Sequence, residues 1–290
     1  MRCLVTGGAG FIGSNLVDTL AKEHDVICLD KDKNGHWNEN AENHVGNICD
    51  SSLVDSLCKN VDKVFHLAAE VTIQNTINDP ASCYESNVNG TVNLLEACRK
   101  NEVKSFVFSS TSAIYKNAWL IQPEDSPEYP YLNPYATSKK MSEDLCKSYA
   151  EIYNINTKIL RYFNVYGNRQ HENGNYAPVL GIFLKQKQEG KDLTITGDGN
   201  QTRDFVHVND VVSANILAAD CEEFSGRIYN VGSGISFSIK DIANIVSSKQ
   251  IYIEERTGEI KHSTASINRI QSELKWTPKM NLKSWLEERL

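Results

Sequence analysis

The segment Thr6-Gly7-Gly8-Ala9-Gly10-Phe11-Ile12-Gly13 constrains this chain more than any other stretch. It follows the apolar run Cys3-Leu4-Val5 and leads into Ser14-Asn15-Leu16-Val17-Asp18-Thr19-Leu20, which reads as a helix. It satisfies G-x-G-x-x-G through Gly8, Gly10 and Gly13, and G-x-x-G-x-x-G through Gly7, Gly10 and Gly13. Glycines permit the tight turn and let main-chain N–H groups approach a pyrophosphate, while a helix starting near Phe11 turns its positive dipole end toward that anion. A glycine motif alone is weak. Here a strand precedes it, a helix follows, and the acidic Asp30 closes the next apolar run, Val26-Ile27-Cys28-Leu29, about 20 residues on. A carboxylate at that place accepts hydrogen bonds from both ribose hydroxyls of an adenosine and repels a 2′-phosphate, so NAD is expected rather than NADP. The plainer alternative is that Asp30 only opens a turn with Asn34-Gly35.

Further apolar runs at Lys63-Val64-Phe65-His66-Leu67, Phe106-Val107-Phe108 and Lys158-Ile159-Leu160 alternate with helical patterns such as Gly90–Cys98. Continuous runs of this kind suit strands covered on both faces of a parallel sheet. After about Asn164 the rhythm changes, with a polar stretch from Asn168 to Tyr176, a helix pattern from Val179 to Gln188 and a short strand at Leu193-Thr194-Ile195. The expected fold is α/β: a Rossmann-type doubly wound parallel sheet with a smaller C-terminal α/β substrate-binding cap. Residues 1–165 are expected to form the NAD-binding domain, and 166–290 a smaller cap interleaved with it.

Composition excludes several classes. At 290 residues with 40% hydrophobic and 23% charged side chains, the chain can bury a large core. A formal charge of −7 without a Lys/Arg block argues against nucleic acid as partner. No apolar run reaches the roughly 18 residues of a membrane span, and the N-terminal residues run directly into a strand rather than a secretory leader. The eight cysteines include no C-x-x-C pair. They read as reduced thiols of a cytoplasmic protein, with no metal site expected.

Asn133-Pro134-Tyr135 looks like a helix start, Asn133 as cap and Pro134 at the first position. Tyr135 and Lys139 then share one helical face. A nearby ammonium stabilises phenolate, so such a tyrosine can act as a general base near neutral pH. Taken alone, Tyr-x-x-x-Lys is a common surface pair; behind a dinucleotide fingerprint the catalytic reading prevails. Upstream, the strand Phe106-Val107-Phe108 ends in Ser109-Ser110-Thr111-Ser112. A hydroxyl there, at a strand C-terminus, either bonds the substrate oxygen or belongs to a serine-rich turn.

Together with His66-Leu67-Ala68-Ala69, Asn87-Val88-Asn89-Gly90-Thr91, Arg161-Tyr162-Phe163-Asn164-Val165-Tyr166-Gly167 and Arg203-Asp204-Phe205-Val206-His207-Val208, these motifs resemble the extended short-chain dehydrogenase/reductases over nearly the whole chain. The branch they resemble is the NAD-dependent nucleotide-sugar epimerase/dehydratase family. The resemblance implies Thr111, Tyr135 and Lys139 as the catalytic set. It implies NAD contacts from Gly7, Gly10, Phe11, Ile12, Asp30, Asn34, Leu67, Ala68, Ala69, Asn87, Tyr135, Lys139 and Tyr162. Asn47-Ile48 sits where the family usually carries Asp-Ile or Asp-Leu against the adenine. Asn164, Arg203, Arg256 and Glu259 match positions that hold the nucleotide diphosphate and its ribose, and arginine forks suit phosphate oxygens.

Within that resemblance the residues after Thr111 discriminate between reactions. Dehydratases and decarboxylases of the family place carboxylates there; this chain has Thr111-Ser112-Ala113. Epimerisation needs no such carboxylate, so the expected activity is inversion of C4 of a UDP-hexose by a tightly bound NAD that is not consumed. UDP is the usual nucleotide, although Thr196 replaces an aromatic that many relatives carry near the base. Ser263 aligns with a site where a tyrosine in some members blocks 2-acetamido sugars, so N-acetylated substrates should fit. Another nucleotide-sugar enzyme of the same scaffold, such as a UDP-glucuronate epimerase, a reductase, a 3,5-epimerase or a dehydratase, is one alternative. A non-catalytic NAD-binding regulator is another. Relatives commonly dimerise through two helices per subunit, which here correspond to Gly90–Lys100 and Tyr135–Tyr153.

Overall fold

The computed structural model describes residues 1–115, 121–128, 131–171, 178–255 and 260–290. The chain divides into two compact units that alternate along the sequence. The first comprises Met1–Ile114, Asn133–Arg161 and Val212–Tyr229; the second comprises Tyr115–Leu132, Tyr162–Val211 and Asn230–Leu290. The described strands are β1 (Arg2–Thr6), β2 (Asp25–Asp30), β3 (Glu42–Val45), β4 (Lys63–His66), β5 (Ser105–Thr111), β6 (Asn156–Tyr162), β7 (Asn164–Tyr166), β8 (Leu193–Thr196), β9 (Thr202–His207), β10 (Arg227–Val231), β11 (Ser236–Ser238) and β12 (Gln250–Ile253). The described α-helices are α1 (Phe11–Leu20), α2 (Ser51–Leu57), α3 (Ile73–Asn78), α4 (Pro80–Tyr84), α5 (Gly90–Lys100), α6 (Pro134–Tyr153), α7 (Val179–Gln188), α8 (Val208–Asp220), α9 (Ile239–Val246), α10 (Asn268–Leu274) and α11 (Leu282–Glu287).

The first unit is built on a seven-stranded sheet in the order β10-β6-β5-β4-β1-β2-β3. The pairings from β3 through β5 are all parallel. Strands β1, β2, β4 and β5 are almost wholly buried, as their continuous apolar runs require when helices cover both faces. The core gathers Leu4, Ile27, Leu29, Val64, Leu94 and Phe106. Strand order reverses between β1 and β4, and at such a switch point the loops leaving adjacent strands part and open a crevice. The fold is the doubly wound Rossmann type.

Helix starts follow local chemistry. Asp50 caps α2 through the N–H groups of Ser52 and Leu53. Asn133 caps α6 by accepting from Ala136 N at 2.9 Å, with Pro134 in the first turn, and the helix ends on Asn154 in the left-handed conformation at φ 57°. The second unit has a three-stranded sheet, β11-β9-β7, and a parallel pair, β12-β8. Its own core packs Tyr166, Phe183, Ile195, Phe205, Ile242 and Trp285. Among the described residues no helix is long and apolar enough to cross a membrane.

Candidate active site

The glycine loop leaves β1 at the switch point. Gly7 has φ +69°, and a Cβ there would lie 2.7 Å from Ala68 N, on the loop that leaves β4. A Cβ on Gly13 would stand 2.0 Å from Gly7 O. Glycine is therefore a steric requirement at both positions, and Leu67, Ala68 and Ala69 pass directly against the loop. Leu67 N also donates to Thr6 O at 3.0 Å. Helix α1 begins at Phe11 with Gly10 as its cap residue, no side-chain cap and no acidic residue in its first turn. Its leading N–H groups are thus left for an anion. Phe11 and Ile12 occupy that turn, half-buried.

Asp30 stands at the end of β2. One carboxylate oxygen accepts from Ala9 N at 3.1 Å and the other from Asp32 N at 3.0 Å, which ties the glycine loop to the turn after β2. Asn34 lies exposed in that turn, its N–H on Asp32 Oδ1 at 2.9 Å. Asn47 is exposed, with its side chain accepting from Cys49 N. Ile48 is buried; its side chain packs where a Cβ on Gly90 would lie 2.5 Å from Ile48 Cδ1, and its carbonyl accepts from Asn93 Nδ2 at 3.1 Å. These features, a cradle without Cβ atoms, an uncapped helix start and a carboxylate at the end of the next strand, fit a dinucleotide.

At the end of β5 the hydroxyl-rich run divides its duties. Ser109 offers its carbonyl to Lys139 Nζ at 2.8 Å. Ser110 donates to Glu143 Oε1 at 2.6 Å. Thr111 Oγ1 accepts from Ala113 N at 3.1 Å, which fixes the rotamer while the hydroxyl proton remains free to be donated. Lys139 is buried on α6, 4.8 Å from the centre of the Phe108 ring. Burial pushes its ammonium down to about 8 from the ordinary lysine range. Tyr135 lies one turn toward the N-terminus of the same helix, half-buried. Catalytic candidates from β5 and α6 therefore belong to one unit.

Asn87 sits in the π-helical turn Glu85–Asn89. Its amide accepts from Glu70 N at 2.7 Å and donates to Glu70 O at 2.9 Å and Ser138 Oγ at 3.0 Å. The side chain is thus engaged inside the protein, pinning the loop after β4 to α6. In the second unit, Tyr162 is buried at the end of β6. Asn164 on β7 donates to Asp204 O at 2.9 Å, Arg203 on β9 donates to Thr202 O at 2.9 Å, and Ser263 is buried with its carbonyl on Asp204 N at 2.8 Å. Thr196 lines a cavity of 180 Å³ with Asp198, Gln201, Lys261 and His262. Arg256 and Glu259 lie outside the described residues.

Three elements escaped the sequence reading. Glu143 and Arg161 form a wholly buried pair, with Arg161 Nε at 2.8 Å from Oε1 and Nη2 at 2.6 Å from Oε2. His66 bridges Thr6 Oγ1 at 2.8 Å and Thr91 Oγ1 at 3.0 Å, and burial holds its ring well below the ordinary histidine range, so it is neutral. Asp204 is buried and accepts from Ser233 N, Ser233 Oγ, Gly234 N and Ala265 N. For Arg161 and His66 the available signal was a polar residue inside an otherwise apolar strand run, which must be paired where it is buried; Glu143 and Asp204 lie in polar stretches and carried no such signal.

The model of the NAD dependent epimerase/dehydratase family matches residues 3–232. A UDP-N-acetyl-alpha-D-glucosaminuronate decarboxylase from Bacillus cytotoxicus is 37% identical over 87% of this chain and 83% of its own length. A crystal structure of a UDP-glucose 4-epimerase from Thermotoga maritima with UDP-glucose has TM-score 0.94 and 33% identity, covering 99% of this chain and 96% of that one. A UDP-N-acetylglucosamine 4-epimerase from Methanobrevibacter ruminantium, in complex with UDP-N-acetylmuramic acid, has TM-score 0.93 and 33% identity over 99% and 96% of the two chains. The glycine cradle, the Asp30 carboxylate and the Tyr135–Lys139 helix thus stand in a chain of matching fold and length throughout, and the protein belongs to the NAD-dependent epimerase/dehydratase family of nucleotide-sugar enzymes, with NAD as its cofactor.

Proposed function

We propose that this enzyme inverts C4 of a UDP-hexose, interconverting UDP-glucose with UDP-galactose or their N-acetylated counterparts. The observation that carries the choice of reaction is the segment Thr111-Ser112-Ala113. Ala113 contributes its N–H to Thr111 Oγ1 and has no acid–base group of its own, so elimination and decarboxylation lack the carboxylate they need after the threonine. Tyr135 takes the proton of the C4 hydroxyl as general base, and Thr111 donates to the same oxygen and holds it in line. Lys139, fixed by the Ser109 carbonyl, stabilises the phenolate through its charge. NAD, which Gly7, Gly10 and Asp30 would hold, would supply reversible hydride exchange at C4 when bound, with no net oxidation of the sugar. Asn164, Arg203, Arg256 and Glu259 hold the nucleotide diphosphate and its ribose while the sugar turns. A serine rather than a tyrosine at Ser263 leaves room for a 2-acetamido group.

The same reading includes a cytoplasmic homodimer. All eight cysteines are free thiols, which suits a reducing compartment. Helix α6 exposes Met141, Ile152 and Tyr153, apolar side chains that pairing with a second copy through α5 and α6 would cover. Light scattering on the purified protein measures that mass directly.

The test is to incubate the protein, without added NAD, with UDP-glucose, UDP-GlcNAc and UDP-glucuronate separately, and to follow the anomeric and H4 signals by proton NMR. The expected result is a galacto-configured product of unchanged mass from the first two sugars. No change in any of the three, with or without added NAD, would overturn the reading. Turnover of UDP-glucose but not UDP-GlcNAc would remove the role given to Ser263.

A further inference from the structure

Asp204 reaches Asn164, Arg203 and Ser263, the described candidates for nucleotide-sugar contacts in the second unit, by different routes. Arg203 is its neighbour on β9. Its carbonyl accepts from Asn164 Nδ2 at 2.9 Å, and its N–H donates to the carbonyl of Ser263 at 2.8 Å. The side chain points the other way, into a saturated cradle. Oδ1 accepts from Ser233 N and Ser233 Oγ, both at 2.7 Å; Oδ2 accepts from Gly234 N at 2.9 Å and Ala265 N at 3.0 Å. The chain wraps so tightly that a Cβ on Gly232 would lie 2.9 Å from Asp204 Oδ2.

A residue that only filled volume here would not need to be ionisable. Burial pushes the Asp204 carboxyl up, against the pull of the donors from Ser233, Ala265 and Gly234. Such a group is retained at a cost in desolvation, and what it gains is geometry: two oxygens that accept from donors on two separate stretches of chain. One of those stretches, through Ala265, is the segment that carries Ser263.

We propose that Asp204 is a positioning residue for nucleotide-sugar binding, which locks Asn164, Arg203 and Ser263 into one preset constellation. The inference rests on the substrate reading given above. Asparagine is the informative replacement. It is isosteric and keeps one acceptor oxygen, but its NH₂ would face two N–H donors. Ser233→Ala is the milder probe, because it removes one hydroxyl, which also bonds the main chain of Ile235, and leaves the carboxylate and its three N–H donors in place.

Wild type, Asp204→Asn and Ser233→Ala would be titrated calorimetrically with UDP, assayed for kcat and KM with UDP-glucose, and analysed for NAD released on denaturation. For Asp204→Asn the expected result is a loss of UDP affinity and a rise in KM of roughly ten-fold or more, with kcat changed by less than about three-fold and NAD content unchanged. Ser233→Ala should move the same quantities in the same direction by roughly three-fold, and it decides the matter if the asparagine variant does not fold. Wild-type UDP affinity in the variants would overturn the positioning role alone. A parallel loss of kcat, UDP binding and NAD content would mean a merely structural carboxylate, and overturns it too. A wild-type protein that does not bind UDP would overturn the substrate reading, and the positioning role with it.

Discussion

At the glycine loop of the first unit, the groups offered to a pyrophosphate are main-chain N–H groups held by steric necessity. In the second unit, the contacts proposed for the nucleotide-sugar, Asn164, Arg203 and Ser263, are side chains on three separate stretches. The two solutions differ in what keeps them in place. Gly7 and Gly13 are fixed because nothing larger fits, Gly13 having only 2.0 Å between its missing Cβ and Gly7 O. The second arrangement depends on Asp204 and the donors converging on it. Buried charge also serves different ends. Glu143 and Arg161 neutralise each other between α6 and β6, whereas Asp204 has only neutral donors. Under the proposed reaction, a cofactor that stays bound would suit a cradle without adjustable parts, and a sugar that turns would suit side chains whose anchoring lies behind them.

The largest expected effect falls in the first unit. Tyr135→Phe should lower turnover of UDP-glucose by about 10²–10⁴-fold while NAD still co-purifies, as NMR conversion rates and cofactor release would show. Loss of the NAD along with activity would mean that the tyrosine is structural. Next is Glu143→Ala, which removes the carboxylate paired with the buried Arg161 guanidinium and should cost about 3–5 kcal/mol in urea unfolding. A cost below about 1 kcal/mol would show that the pair is not what joins α6 to β6. Third, Gly13→Ala should abolish retention of NAD. Gly190→Ala, at φ +70° with open space around it, should cost only about 1–2 kcal/mol and leave cofactor content unchanged. Equal behaviour of the two alanines would break the contrast between the units.

The mildest effect is a pH dependence. The Lys139 ammonium, pushed down to about 8 by burial, is present below that pH and lost above it, so the phenolate loses its partner as pH rises. The kcat/KM for UDP-glucose should therefore fall on the alkaline side with a midpoint near pH 8, and Lys139→Met should lack that limb. A wild-type profile flat to about pH 10 would remove the role given to Lys139.

Much of the first unit was legible because its signals are local. The glycine spacing, Asp30 at a strand end, the Asn133-Pro134 helix start and the Tyr135–Lys139 interval each lie within a few residues, and periodicity turns them into geometry. What stayed hidden was pairing across distance. Nothing near Ser110 announces that its hydroxyl goes to Glu143, or that the Ser109 carbonyl, rather than the hydroxyl, serves Lys139. Asn87 was expected at the cofactor; the residue type was visible, but not that Glu70 and Ser138 engage its amide. Asp204 was quoted as part of a motif and given no role, because its donors come from positions 233, 234 and 265. The return of residues 212–229 to the first unit is likewise set by tertiary packing, and no shift in composition marks it.

That return has a consequence for how the protein is made. The seven-stranded sheet ends in β10, Arg227–Val231, which lies beside β6. A ribosome emits the chain at about 5–20 residues per second, so β6 leaves the exit tunnel roughly 3–13 seconds before its outer neighbour. During that interval one margin of the nascent sheet bears unpaired amide and carbonyl groups, the condition that invites wrong pairings. The NAD-binding half therefore cannot finish folding as an autonomous N-terminal piece. A truncation that stops after β6 should be a client for chaperones rather than a cofactor-binding fragment.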